Sequence, residues 1–382
     1  MPPEPEMHEL INVTMVSTSY PESSTDWKSV FVRQLLYALS SRDELVMSYW
    51  GPAGDLPENT TYLCHEDEKS WLAWLMQKGG IIHLLRQKGI HRFTAPIKLL
   101  LLLRRAYQRQ EDVSLLHVNW LQNALPLYGS SRPIVVSVLG SDLGLLRIPG
   151  MTSLLRQVFK GRLCVLAPNA DWMKQDLEKR FGDVAKVITV PLGINIEWFK
   201  VQRDLPLIKP HKWLVVSRLT EKKIGSLFEW GKKIFCNEGK HELHLFGPMQ
   251  EQLILPEWVH YHGSTHPNEL REEWFPKVTG LVTMSRHDEG RPQVMLEAMA
   301  AGLPIIASDL PAHSDFLTHR QTGWLADSED SFGEGIEWLS IPANNHKIAA
   351  NAHDWVSRKV GTWDDCSRRY VKIYQMLMGE IQ

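Results

Sequence analysis

Cysteine is scarce in this 382-residue sequence, and the four present, Cys64, Cys164, Cys236 and Cys366, form no C-x-x-C pair and have no histidine at zinc-like spacing. That excludes a disulfide framework and argues against a zinc site, and a reducing compartment is expected. Long apolar runs are missing too: the leucines at 99–103 fall far short of the ~20 residues that cross a bilayer. The opening Met-Pro-Pro-Glu-Pro-Glu-Met-His lacks the basic start and apolar centre of a signal peptide, so a cytoplasmic location is expected. Neither sign of charge dominates, since 42 Lys and Arg against 44 Asp and Glu leave a formal net charge of −2, and nothing in this balance points to nucleic acid. Three motifs are also absent: G-x-G-x-x-G after a strand, G-x-x-x-x-G-K-[ST] and H-E-x-x-H. Dinucleotide, P-loop and zincin chemistry go with them.

What is present is a regular alternation of short β-branched or apolar runs with longer stretches of helical period, the signature of βαβ units and a parallel sheet. In the first half strands are expected at 10–17, 44–49, 113–118, 134–138, 163–167 and 187–190, with helices at 29–40, 97–110 and 171–181. After a proline-containing connector at 200–211 the pattern restarts, with strands at 213–216, 242–246, 259–262, 280–284 and 304–307. The fold class is therefore α/β, two Rossmann-like doubly wound domains, and a cleft between them is the default site.

The most informative segment runs Ser285-Arg-His-Asp-Glu-Gly-Arg-Pro-Gln-Val-Met-Leu-Glu-Ala-Met-Ala-Ala-Gly-Leu-Pro-Ile-Ile-Ala-Ser308. It leaves a strand, turns at Gly290 and enters a helix with Pro292 near its first position. A helix N-terminus offers unpaired amides and a positive dipole end, so the turn through Gly290, Arg291, Pro292, Gln293 and Val294 can hold phosphate oxygens without a metal. Glu297, early in the helix, is placed to accept hydrogen bonds from a ribose diol, and Glu289, on the loop, should lie nearer a sugar. An isolated E-x7-E pair is more often a loop carboxylate and a solvated helix residue; here the surrounding residues overturn that reading. A second feature is Val216-Ser-Arg-Leu-Thr-Glu-Lys-Lys223, where Arg218 and Lys223 follow a strand end and can neutralise a diphosphate. Lys222 competes with Lys223 for the inward position.

The 285–308 segment resembles the E-x7-E signature of retaining glycosyltransferases of family four, the glycosyl transferases group 1, in which EG-x-P-x-x-x-x-EAMA-x-G-x-P closes the donor site. The match includes Gly302 and Pro304, and the R-L-x-x-x-K motif of the family is similar to Arg218 through Lys223, although Ile224 replaces the glycine usual after the lysine. Leu245-Phe-Gly-Pro248, His262-Gly263 and Gly323-Trp-Leu325 after Asp315 follow in the family's order. The resemblance implies a GT-B fold with a nucleotide-sugar-binding second half, Glu289, Arg218 and Lys223 at the chemistry, and retention of configuration. It implies domains at 1–198 and 199–358 and a last helix, 359–382, crossing back onto the first. No D-x-D, the metal signature of the other major glycosyltransferase fold, occurs, so no cofactor or metal is expected.

In the first half, Ser19-Tyr-Pro21 and Asp26-Trp-Lys-Ser-Val-Phe-Val32 resemble the first strand, loop and helix of a family subgroup, with Ser29 where glycine is common. This places Ser19 and Asp26 on the acceptor or sugar side. His117 ends a buried strand in a way that is similar to the family and is either a site residue or a packed core histidine. Leu139 stands where many relatives carry a histidine beside the transferred sugar, leaving Ser141 and Asp142 as that loop's polar groups. Lys78, Arg86, Lys88, Arg92, Lys98, Arg104, Arg105 and Arg109 fall in a stretch without one Asp or Glu, interleaved with apolar residues. That patch either touches an anionic membrane, where lipid-linked acceptors are found, or merely faces water. The function expected is transfer of a sugar from a nucleotide-diphosphate donor to a glycan or lipid-linked acceptor in polysaccharide or lipopolysaccharide biosynthesis. A sugar-nucleotide epimerase of the same fold and a non-catalytic nucleotide-sugar-binding protein are the alternatives.

Overall fold

Strand β1 (Ile11–Val16) is buried at every position but Asn12, the pattern of a central strand covered on both faces. Its neighbours β2 (Leu45–Trp50), β3 (Thr60–Tyr62), β4 (Leu115–Asn119), β5 (Ile134–Val138), β6 (Cys164–Pro168) and β7 (Lys186–Val187) complete a parallel sheet in the order β3-β2-β1-β4-β5-β6-β7. A computed structural model of the chain shows this and describes residues 10–380 apart from 24–25, 27–28, 87–88, 110–113, 204–208, 237–238 and 288–289. The second sheet holds β8 (His211–Val216), β9 (His241–Phe246), β10 (Val259–Gly263), β11 (Gly280–Thr283), β12 (Ile305–Ser308) and β13 (Trp324–Ala326), in the order β10-β9-β8-β11-β12-β13. All observed pairings are parallel, so each connection crosses over, usually by a helix.

The chain divides into two units, Met1–Leu192 with Trp363–Gln382, and Gly193–Thr362. The sequence reading had the boundaries at 198/199 and 358/359. The crossings lie side by side, because Ile194 pairs with Thr362 in a short parallel bridge and donates its amide to the Gly361 carbonyl. The helix Pro342–Lys359 thus finishes in the second unit, and the helix Trp363–Gly379 belongs to the first. Alternation along each strand splits its apolar side chains between two layers. In the first unit one layer gathers Val16, Trp50, Leu116 and Val136. The other gathers Val13, Met15, Leu115 and Val135 with Tyr370 and Tyr374 of the last helix.

Two further strands, β3 and β13, have three residues each; β3 buries none of its side chains fully and β13 two. The helix expected at 97–110 begins earlier, at His91, and runs through Pro96 to Gln108. Pro96 is the sixth helical residue, so the helix continues through it without the bond that an amide there would make to the Arg92 carbonyl.

Candidate functional site

In each sheet the strand order reverses direction between its first strand and the fourth one formed, between β1 and β4 and between β8 and β11; in open α/β sheets ligands bind beyond the carboxyl ends of the strands at such a switch point. In the second unit four such loops are locked together. Gly247, after β9, has φ +133° and would put a Cβ 1.8 Å from the Ser217 carbonyl oxygen. Gly225 has φ +57° and would put one 1.8 Å from the Met284 oxygen. Only glycine permits either approach. The Arg286 amide donates to the Lys222 carbonyl at 2.7 Å, its guanidinium to the Ser226 hydroxyl at 2.5 Å, and the Ser308 hydroxyl to the Ser285 carbonyl at 2.6 Å.

Arg218 follows β8 as an exposed residue, and Thr220 caps the short helix Glu221–Ile224 by accepting the Lys223 amide at 3.3 Å. Lys223 is half-buried and Lys222 exposed, so Lys223 is the more enclosed of the competing pair. Ile224, in the place of the expected glycine, is buried in the core, and Gly225 supplies the close approach one residue later.

The loop after β11 leads through Gly290, buried, to Pro292, which precedes the helix Gln293–Ala300. Glu289 lies outside the described residues. The helix ends in a Schellman turn: the Gly302 amide donates to Met299 and the Leu303 amide to Ala298, with Gly302 at φ +65°. Arg291 departs from its expected role. Its side chain is 3% exposed and paired with Asp315, itself 3% exposed, with Phe316 and Trp355 about the guanidinium. A buried charge persists only when paired, so this guanidinium is consumed by the fold and only its backbone remains for a ligand. The Gln293 carboxamide donates to the Gly193 carbonyl at 2.7 Å, while its oxygen is buried without a hydrogen-bond partner among the described residues. Val294 packs at the margin of the core. Glu297 is half-buried on the same helix, and burial raises its pKa to about 8.

In the first unit the Ser19 hydroxyl meets the Ser29 hydroxyl at 2.6 Å. Ser29 sits at φ +50°, the left-handed conformation that explains why glycine suits this position. Asp26 accepts the Glu22 amide at 3.2 Å and so braces its own loop. His117 does not belong with them. It is fully buried, its ring nitrogens bonded to the Tyr374 hydroxyl at 2.6 Å and the Ser137 hydroxyl at 2.7 Å, and burial lowers its pKa to about 3. It ties the last helix to the sheet and offers no nitrogen to a substrate. Ser141 is exposed at the start of the 3-10 turn Ser141–Arg147. Asp142 is buried and accepts the amides of Leu121 at 3.1 Å and Leu139 at 3.0 Å, joining the loops after β4 and β5. Burial raises its pKa to about 6 against those amides, which lower it.

Trp120, which with His117 ends the strand that resembles the family's, is not among the expected site residues. It follows β4 at the switch point with φ +68° and ψ +139°, a conformation costing on the order of 1–3 kcal/mol for a residue with a Cβ. Its indole is half-buried beside Phe31. The signal available in sequence was only an aromatic directly after a buried strand.

Residues 210–340 match the family described as Glycosyl transferases group 1. The amylovoran biosynthesis glycosyltransferase AmsK of Erwinia amylovora is 28% identical over 160 residues, covering 38% of this chain and 39% of that protein. Among solved structures, the sucrose-phosphate synthase of Thermosynechococcus elongatus superposes with a TM-score of 0.72 at 15% identity, covering 97% of this chain and all of that one. The trehalose-6-phosphate protein of E. coli bound with UDP-2-fluoro glucose superposes at 0.68 and 12% identity, covering 95% and 99%. The two-sheet architecture is thus the GT-B fold. Residues 210–340, the second sheet with its switch-point loops, are thus similar to the glycosyl transferases group 1 family.

Proposed function

We infer that the chain is a glycosyltransferase that takes a sugar from a nucleotide-diphosphate donor held at the switch point of the second sheet. The observation that carries this reading is the locked collar around β8 and β11. It sets Arg218 and Lys223 on one loop and the start of the helix Gln293–Ala300 on its neighbour. Cationic residues and helix-terminal amides on neighbouring loops suit a pyrophosphate and the charge that grows on it as the glycosidic bond breaks. Glu297 accepts the ribose hydroxyls, Glu289 is assigned to the sugar by its place in the E-x7-E string, and Arg218, Lys223 and the helix amides supply the positive counter-charge in place of a metal.

The transfer proceeds with retention. The bond from the anomeric carbon to the diphosphate oxygen breaks, the acceptor hydroxyl attacks the same face, and its proton passes to the departing phosphate oxygen. On the acceptor side stand Ser19, Asp26 and Ser141, with Trp120 as a platform for a sugar ring; strained aromatic residues at strand ends are suited to that work. The acceptor is a growing glycan or a lipid-linked one, in polysaccharide or lipopolysaccharide biosynthesis, as the AmsK likeness suggests.

The test uses nucleotide sugars labelled in the sugar, offered with lipid-linked and soluble glycan acceptors in the presence of a chelator. Label should move to one acceptor with retained configuration, and Glu289→Gln should lower turnover by about a hundredfold or more. Epimerised nucleotide sugar formed without acceptor, or undiminished transfer by Glu289→Gln, contradicts the assignment.

A further inference from the structure

The helix His91–Gln108 buries one face, Ala95, Leu99, Leu102, Leu103 and Ala106, against the first unit. The opposite face ought to be polar. Instead Phe93, Ile97 and Leu101 recur at every fourth position and are 63%, 60% and 54% exposed, with Ile90 just before the helix at 69%. At 3.6 residues per turn these four form one stripe pointing directly away from the core, and Arg104 continues it. Scattered apolar side chains on a surface need no explanation, but a stripe along three turns of one helix does.

The charges around the stripe indicate what covers it. Arg92, Lys98, Arg104 and Arg105 are exposed on this helix, and residues 78–110 contain no carboxylate. Arg109 is the one cation here that pairs with a carboxylate among the described residues, gripping both oxygens of buried Glu68 at 2.7 and 2.9 Å and anchoring the helix end, while Lys98 lies 5.3 Å from the Trp71 ring centre. The Arg92 guanidinium lies 4.6 Å from the Phe93 ring centre. Arg104 reaches toward the Tyr128 carbonyl, and that tyrosine is 61% exposed, placing an amphipathic aromatic beside the end of the stripe. Apolar residues in line, cations on their flanks and aromatics at the margins match the boundary between anionic headgroups and acyl chains.

We propose that this face docks the protein in the plane of a bilayer rich in anionic lipid, with Ile90, Phe93, Ile97 and Leu101 entering the acyl boundary and Arg92, Lys98, Arg104 and Arg105 held at the phosphates. The choice of a lipid surface rests in part on the reading of a lipid-linked acceptor, but the docking itself is independent of transfer.

The full chain is floated with vesicles of phosphatidylcholine alone and of phosphatidylcholine with one third phosphatidylglycerol. Binding is expected only to the anionic vesicles, and to fall with salt. Phe93→Ser, Ile97→Ser and Leu101→Ser should each weaken it about tenfold, and Lys98→Glu with Arg105→Glu should weaken it without altering the stripe. All these side chains are exposed, so the variants should keep the wild-type circular dichroism and the wild-type thermal response to a nucleoside diphosphate. Equal binding to both vesicles, or none, overturns the proposal. So does a wild-type dimer that the serine variants turn into monomer, which assigns the stripe to a second copy. Vesicle binding without any nucleotide response leaves the docking intact and defeats the donor-site reading instead.

Discussion

Glu297 and Arg291 sit within two turns of each other, and their environments assign them opposite work. Arg291 has a buried carboxylate partner in Asp315, whereas burial lifts the Glu297 carboxyl to about 8. A carboxyl whose pKa is higher folded than unfolded adds stability that is fully present below about pH 4.5 and is lost as pH rises through about 8. Wild-type protein should therefore lose thermal stability between about pH 5 and 9, and Glu297→Gln should flatten that decline, read by calorimetry across the range. An unchanged slope would mean that Glu297 is solvated. Glu297 is legible through its place in the E-x7-E string, but nothing local distinguishes Arg291 from a ligand-binding arginine. Its partner is Asp315, beyond a strand and a loop, and the partner of His117, Tyr374, lies 257 residues away. Such pairings are decided by tertiary packing.

At the scale of elements, the collar after β8, β9 and β11 depends on two glycines that have no room for a side chain. Gly225→Val should cost about 2 kcal/mol or more, through a disfavoured backbone and collision with the Met284 carbonyl, and it should abolish the thermal response to nucleotide. A variant retaining full stability and response would show that the loops need not touch. Central strands such as β1, β5 and β6 were legible because parallel strands buried on both faces read as continuous apolar runs. Three-residue edge strands carry too little pattern to stand out: β3 is Thr-Thr-Tyr and β13 is Trp-Leu-Ala. The stripe on the helix His91–Gln108 was visible as an acid-free stretch of cations interleaved with apolar residues, but not which of them share a face, since which leucines face inward depends on where the helix begins relative to Pro96.

For the molecule as a whole, the two sheets repeat one topology, and the first differs from the second by one added strand, β7. Each switch point has been given a different character. The first carries hydroxyls, a braced carboxylate at Asp142 and the strained Trp120, and the second carries Arg218, Lys223 and a helix N-terminus. That asymmetry underlies the proposal that the second unit takes the nucleotide, and calorimetric titration of the full chain with UDP-, GDP- and ADP-sugars tests it most directly. One of these donors should bind, and Arg218→Ala with Lys223→Ala should weaken it by about a hundredfold, as expected for the loss of two charge-assisted contacts. Equal affinity of the double variant and the wild type, or binding of none of the three, would contradict the account.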